Sequence, residues 1–475
     1  MNTSNEQTLN RRSLTQRAIA FFRESLRDSD ADLTTGSTGR ALGLLAIPMV
    51  LEMSMEAVFA VVDIAFVSRL GTAAVAAVGI TEALITVLYA VAIGLGMGAT
   101  AMVSRRIGAG DPDEAAQVTG QAIWVGLILS ILIGAFGLVF ARELLQLMGA
   151  DAEVVETGRG FTAVLIGGSG SILFLFLLNA AFRGAGDAPV ALRALMLANG
   201  INIVLDPCLI FGIGPFPELG VTGAGVATTI GRSIGVAYLG YYLFTDYGRL
   251  RLRPRHMLLS PKLIRRLLYI SIGGIGQFLI ATSSWIAVMR IIALYGSAPI
   301  AAYTIAIRMI EFAILPAWGL GNAAATLVGQ NLGAGQPERA ARTTWQAARY
   351  NVAFMTVVGI LLLVFAPTIV SWFSSDPEIL RYGTNCLRIM GIGYPAYAAG
   401  MIVIQALNGA GDTRSPSVMN LICFWIVQIP LAYWLAESVG MGPNGVFTAI
   451  VMSETLLTII AVLVFRTNRW QSQEA

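Results

Sequence analysis

The chain repeats itself at a spacing of 225 residues, and this repeat constrains the fold more than any other feature. Residues 107–116 read IGAGDPDEAA, and residues 332–341 read LGAGQPERAA. At the same spacing, the GAGD of residues 184–187 returns at residues 409–412. A constant spacing leaves room for few insertions, and a period of this length indicates a duplicated domain rather than a solenoid. The chain is therefore predicted to fold as two homologous halves.

The composition places these halves in a membrane. Hydrophobic residues make up 56% of the chain and charged residues 12%, whereas a soluble domain carries about 25% charged residues. A membrane-spanning helix needs roughly 20 mostly apolar residues. We therefore predict an all-α integral membrane protein with twelve spans, six per half, near residues 43–67, 72–103, 116–140, 159–182, 190–212, 222–244, 267–293, 298–328, 343–365, 383–407, 416–436 and 445–466.

The domain organisation follows from these spans. We predict a basic N-terminal tail at 1–40, a first half at 41–244, a basic linker at 245–266, a second half at 267–466 and a C-terminal tail at 467–475. An even number of spans per half gives both copies the same orientation, so the halves should be related by an axis along the membrane normal. Duplicated halves of this kind place a binding site between them and favour alternating access.

Arginine and lysine are concentrated in one set of loops, in the linker and in both tails. By the positive-inside rule, the termini and the linker are predicted to lie on the cytoplasmic side. The arginines assigned to those loops include Arg105, Arg106, Arg183, Arg339, Arg342 and Arg414.

Three acids lie in the first predicted span. At 100° per residue, Glu52, Glu56 and Asp63 fall within about 40° of one another around the helix. Ionisable residues inside a span are costly and mark functional sites by default. This stripe cannot face lipid, so it is predicted to line a cavity or to meet polar partners.

The fifth predicted span carries a second polar group. Asn202 and Asp206 are four residues apart and share a helix face, and Asn199 lies close to that face. Pro207 removes a backbone donor, so we expect a local break in the helix there. Asn179, near the end of the fourth span, is a candidate neighbour.

We interpret Asp63, Asp206, Asn202 and Asn179 as a proton or cation site. Two buried carboxyls close together favour uptake of a proton near neutral pH. The alternative is a neutral hydrogen-bonded cluster that only fixes helix packing. Further candidates for substrate contact or proton relay are Glu52, Glu56, Asn199 and Gln277.

The second half has fewer acids within its predicted spans than the first. Arg308 and Glu311 are three residues apart and are predicted to form a fixed structural charge pair. At the 225-residue spacing, Glu52 corresponds to Gln277 and Asp63 to Val288. The titratable groups of the spans are therefore expected to cluster in the first half, which alone should carry the ion chemistry.

These residues resemble the multidrug and toxic compound extrusion (MATE) family over roughly residues 40–466. The resemblance rests on residues 62–63 (VD) with 68–71 (SRLG), on 183–187 (RGAGD) leading into Asn202 and Asp206, and on Arg308 with 328–335 (VGQNLGAG). It implies two six-helix bundles that export organic cations and other drugs in exchange for H⁺ or Na⁺.

The resemblance also points to a branch of the family. NorM-like members carry a Glu in the seventh span and an Asp in the tenth, whereas this chain has Gln277 and no acid between residues 381 and 408. The group of Asp63, Asp206, Asn202 and Asn179 looks like the site of DinF-like members. This favours H⁺ as the coupling ion, although Na⁺ could bind at Asp63, Asp206 and Asn202.

Other function classes fit less well. One His, no HExxH and three scattered Cys argue against metal chemistry, so neither a cofactor nor a resident metal is expected. Asp187 and Asp412 fall at turns rather than within spans, which argues against an intramembrane aspartyl protease, and duplicated halves argue against a channel. A Na⁺-coupled antiporter and a flippase of lipid-linked precursors remain as alternatives. We expect a monomer in the inner (plasma) membrane that binds drugs or toxic organic cations and no nucleic acid.

Overall fold

The computed structural model describes residues 14–27, 32–245 and 248–473, without the side chains of residues 14, 60, 61 and 63–65. All regular structure in these ranges is helical. A short helix α1 (Leu14–Ser25) precedes the first half. That half comprises α2 (Thr38–Val67), α3 (Thr72–Gly108), α4 (Pro112–Leu147), α5 (Ala152–Gly167), α6 (Ser169–Ala185), α7 (Ala188–Phe211) and α8 (Val221–Phe244).

The second half begins at α9 (Pro261–Ile292). It continues with α10 (Ser297–Gly333), α11 (Pro337–Ser371) and α12 (Pro377–Gly409). The next segment starts as α13 (Arg414–Asn420), runs through π-helical turns at Leu421–Gln428, α14 (Ile429–Tyr433) and further π turns at Trp434–Ser438, and α15 (Pro443–Arg466) follows.

These helices form twelve membrane-crossing segments. Within the described residues, ten helices are long and apolar enough to cross a membrane by themselves, and α5 with α6 forms one more span bent by 40°. The twelfth, α8, has 24 residues, or about 36 Å of helix, which exceeds a hydrocarbon core of about 30 Å. Its polar residues, Arg232 among them, lower its hydropathy. The predicted architecture of two six-span halves is confirmed.

The position of the main bend differs from the expectation. The helix α7 continues through Pro207 to Phe211, so the break predicted there is wrong. The fourth span breaks instead at Gly168, between α5 and α6. A Cβ on Gly168 would lie 2.7 Å from the side chain of Thr229, so the bend brings the backbone close to α8.

The two halves meet most closely at one end of the helices, which we call the basic end. It is formed by the turns at residues 109–111, 186–187, 334–336 and 410–413. Here α3 crosses α10 so tightly that a Cβ on Gly108 would lie 1.9 Å from the carbonyl oxygen of Gln330. A Cβ on Gly333 would lie 2.0 Å from the carbonyl oxygen of Arg105. The two glycines are 225 residues apart, so they occupy equivalent positions of the two halves.

The N-terminal segment ties the halves together at this end. Arg339 of α11 donates hydrogen bonds to the carbonyl oxygens of Gly36 (2.8 Å), Thr35 (2.9 Å) and Leu33 (3.3 Å). The hydroxyl and the backbone N–H of Thr34 both donate to Asp32, which holds the pKa of that carboxyl below its ordinary value. The segment before α2 is thus anchored to the second half.

Candidate functional site

A cavity of about 250 Å³ lies between the two halves, and we call it the central cavity. Glu52 and Glu56 of α2 line it, as the predicted stripe requires. The first half also contributes Asn179, Arg183, Asn199 and Arg232, and the second half Trp318, Asn322, Gln405 and Asn408. The cavity therefore combines both signs of charge with carboxamides and apolar surface.

The strongest polar contact in this cavity is an ion pair between Glu52 and Arg183. The two side chains approach to 2.7 Å, and they are only 2% and 14% exposed. Asn179 donates to the same Glu52 oxygen at 3.4 Å. Arg183 was assigned to a loop, and that assignment is wrong: it lies in the last turn of α6 and turns into the cavity. The Arg183 side chain points toward the buried Glu52 carboxylate because an unpaired buried charge would be costly.

The second half repeats this contact without charge. Residues 225 positions after Glu52 and Arg183 are Gln277 and Asn408, and Gln277 donates to Asn408 at 3.0 Å. Gln277 also donates to the carbonyl oxygen of Thr413 at 3.0 Å. The same helix-to-helix contact is therefore ionic in one half and amide-to-amide in the other.

Two further contacts surround the central cavity. Asn199 of α7 approaches Glu56 at 3.5 Å. Arg232 of α8 donates to the hydroxyl of Tyr89 at 2.8 Å. Sequence reasoning missed Arg232, although a basic residue inside a predicted span is a visible signal. The cavity therefore has positively charged side chains from α6 and α8 and negatively charged side chains from α2.

The predicted proton or cation site is only partly assembled by described side chains. Asp206 is fully buried, Asn202 is 2% exposed and Thr228 is 9% exposed. Asn202 donates to Thr228 at 3.0 Å and approaches Asp206 at 3.5 Å. Asp63 lies within α2, but its side chain is outside the described residues. Among the described side chains, Asn179 bonds to Glu52 and not to Asp206.

The predicted charge pair of the second half is not formed. Arg308 and Glu311 lie one turn apart on α10, and both are exposed. The ion pairs found among the described residues do not include one between them. Two exposed long side chains gain little from pairing and lose rotamer freedom.

An acid of the second half was overlooked. Glu454 of α15 lines a cavity of about 300 Å³ that lies mainly within the second half. We call this space the second-half cavity. Gln277 and Gln405 also line it. Glu454 is half-buried, so the expectation that the titratable groups of the spans cluster in the first half has an exception.

Comparison with known proteins identifies relatives of this chain. The MatE family model matches residues 48–208 and again residues 274–434. A probable multidrug resistance protein NorM of Thermotoga maritima is 26% identical over 432 residues, covering 90% of this chain and 92% of that protein. An FAD transporter of Shewanella oneidensis is 27% identical over 427 residues, covering 90% and 94%.

A solved structure gives the same assignment. It is described as the outward-facing conformation of a multidrug resistance MATE family transporter, and it superposes with a TM-score of 0.87 at 26% identity. The match covers 93% of this chain and 98% of that one. With both repeats matched and the twelve-helix architecture shared, this chain belongs to the MATE family of multi-pass membrane transporters, whose members are not enzymes.

Proposed function

We propose that the chain is a secondary active antiporter of the DinF-like branch. It exports lipophilic organic compounds, mostly cations, in exchange for H⁺ by alternating access. It lies in the plasma membrane with both termini in the cytoplasm. Membership of the family supports export, as do relatives named for multidrug resistance. The buried Asp206, on the same helix as the cavity-lining Asn199, adds negative charge beyond the two acids and two arginines that line the central cavity, and this supports a preference for cations.

The observation that carries the H⁺ coupling is the burial of Asp206. This carboxyl is fully buried on α7, two turns from Asn199, which lines the central cavity. A buried acid gains stability when it takes up a proton, because the neutral form loses less hydration. Protonation of Asp206, together with Asp63, would therefore change the charge beside α2.

The proposed cycle uses this change of charge. The halves are packed together at the basic end, which is the predicted cytoplasmic end, so this conformation opens to the outside. A proton taken up there neutralises the pair of Asp63 and Asp206, α2 rearranges, and the substrate leaves. The inward-facing form then releases the proton to the cytoplasm and binds new substrate.

Transport by purified protein in liposomes tests the proposal. We expect a pH gradient to drive uptake of a fluorescent lipophilic cation, and Asp206→Asn to reduce this uptake to the background of empty liposomes. The control is Asp111→Asn, which also removes one acid but retains a residue suited to capping α4. Full proton-driven transport by Asp206→Asn would contradict the proposal.

The same liposomes separate the alternatives. A Na⁺ gradient that drives uptake at equal pH on both sides would support Na⁺ coupling instead. A flippase of anionic lipid-linked precursors is disfavoured because the two arginines that line the central cavity, Arg183 and Arg232, are matched there by two acids, Glu52 and Glu56. Since one relative is an FAD transporter, FAD serves as an anionic probe, and transport of FAD without the cation would overturn the substrate preference.

A further inference from the structure

The second-half cavity has the chemistry of an amine-binding site. Four aromatic residues line it: Phe278, Trp318, Tyr397 and Phe424. Met97 and Met401 add adaptable apolar surface. A space of about 300 Å³ lies at the lower end of the range for small-molecule sites.

One acid faces this apolar space. Glu454 lines the cavity, and among the described residues neither Arg nor Lys joins it there. The ion pairs of the described residues leave Glu454 out. Glu454 is half-buried, and a carboxylate partly withdrawn from water without a cationic partner is costly. A positively charged ligand would remove that cost.

A second polar group in the same cavity lacks a partner. Asn420 of α13 lines the cavity and is 8% exposed, and no hydrogen bond reaches its side-chain oxygen within the described chain. A buried acceptor left without a donor is unfavourable. The π-helical turns begin at the next residue, Leu421. Such turns are rare and often mark functional sites.

We propose that the second-half cavity binds lipophilic amines in their protonated form. The carboxylate of Glu454 is the counter-ion, the side-chain oxygen of Asn420 accepts a hydrogen bond from the ammonium N–H, and the aromatic faces hold the apolar part of the ligand and its positive charge. This deepens the proposed export function by assigning such cations a binding site in the second half, and it rests on that function only for the fate of the bound amine.

Equilibrium binding without any ion gradient tests this site. The purified full-length protein in detergent is titrated calorimetrically with three probes: an arylalkyl tertiary amine, its N-methyl quaternary salt and a neutral isostere. We expect Glu454→Gln to weaken binding of both cations about tenfold to a hundredfold, as for the loss of a hydrogen bond to a charged group. Binding of the neutral isostere should stay within about twofold.

Three further variants sharpen the result. Glu454→Asp keeps the charge and should retain cation binding. Asn420→Val should weaken the tertiary amine more than the quaternary salt, because only the former has an N–H to donate. Glu378→Gln removes an exposed acid of the same half outside the cavity and should leave all three affinities unchanged.

Two results would overturn the site. Glu454→Gln could bind all three probes as the unmodified protein does, or it could lose the neutral isostere to the same extent as the cations. Because no gradient is applied, a failure of proton coupling in liposomes does not affect this measurement. The two proposals therefore fail separately.

Discussion

At the scale of single residues, the contact between Glu52 and Arg183 makes the sharpest prediction about stability. Glu52→Gln leaves Arg183 beside the central cavity without its counter-charge. Breaking a buried ion pair by removing one partner costs about 3–5 kcal/mol. We expect a clear fall in the thermal unfolding temperature of the purified protein in detergent.

The repeat supplies the compensating change. The double variant Glu52→Gln with Arg183→Asn reproduces the pair that Gln277 and Asn408 form in the second half. We expect it to recover most of the stability lost by Glu52→Gln, since an amide pair of this geometry already exists in the fold. A double variant less stable than both single variants would show that the two contacts are not equivalent.

The sequence predicts single residues well where their neighbours lie on the same helix. The shared face of Asn202 and Asp206 is confirmed by their contact, and Glu52 and Glu56 do line one cavity. It fails where the partner belongs to another helix. Nothing local pairs Arg183 with Glu52, because their contact depends on how α6 packs against α2. The coupling roles of Asp63 and Asp206 stay predictions.

At the scale of helices, hydropathy located all twelve spans but shortened their ends. The helix α3 runs to Gly108 rather than residue 103, and α9 begins at Pro261 rather than residue 267. The added turns are polar and lie beyond the apolar stretch, so hydropathy cannot detect them. The bend at Gly168 was missed because a single glycine in an apolar span carries no strong breaking signal, and tertiary contacts decide its conformation.

The N-terminal segment yields a prediction at this scale. Arg339→Ala removes three hydrogen bonds to the carbonyl oxygens of Leu33, Thr35 and Gly36. Each hydrogen bond from a charged donor contributes about 1.5–3 kcal/mol, so the segment before α2 should detach from α11. We expect trypsin to cleave the variant faster at Arg27 or Arg40, with the fragments identified by mass spectrometry.

The neighbouring Arg342 provides the matched control. It is exposed on the same helix, so Arg342→Ala removes the same charge without releasing the segment. Cleavage of this variant should match that of the unmodified protein. Equal cleavage of both variants would mean that α1 and its packing on α2, rather than Arg339, hold the segment in place.

At the scale of the whole molecule, the repeat explains how two halves can close on each other. The glycines Gly108 and Gly333 place α3 and α10 in backbone contact, and each occupies the same position in its half. Small residues let helix backbones approach closely in membranes. We call this pair of equivalent helix contacts the seal, and the basic end opens when either contact separates. The repeat seen in the sequence therefore accounts for the way in which the two halves close at the basic end.

The last prediction concerns this closed basic end. Gly333→Val inserts a side chain where a Cβ would already lie 2.0 Å from the carbonyl oxygen of Arg105. Overpacking costs about 1–3 kcal/mol, so the closed basic end should become roughly 5- to 150-fold less favoured. In a variant whose three cysteines are replaced by serine, a cysteine at the buried Ser104 reports this opening. A polar maleimide should label this cysteine faster in the Gly333→Val background, by a comparable factor.

Gly240→Val is the control, since a Cβ there has no neighbour within 4 Å. If Gly333→Val and Gly240→Val label at the same rate, the crossing of α3 and α10 is not the seal.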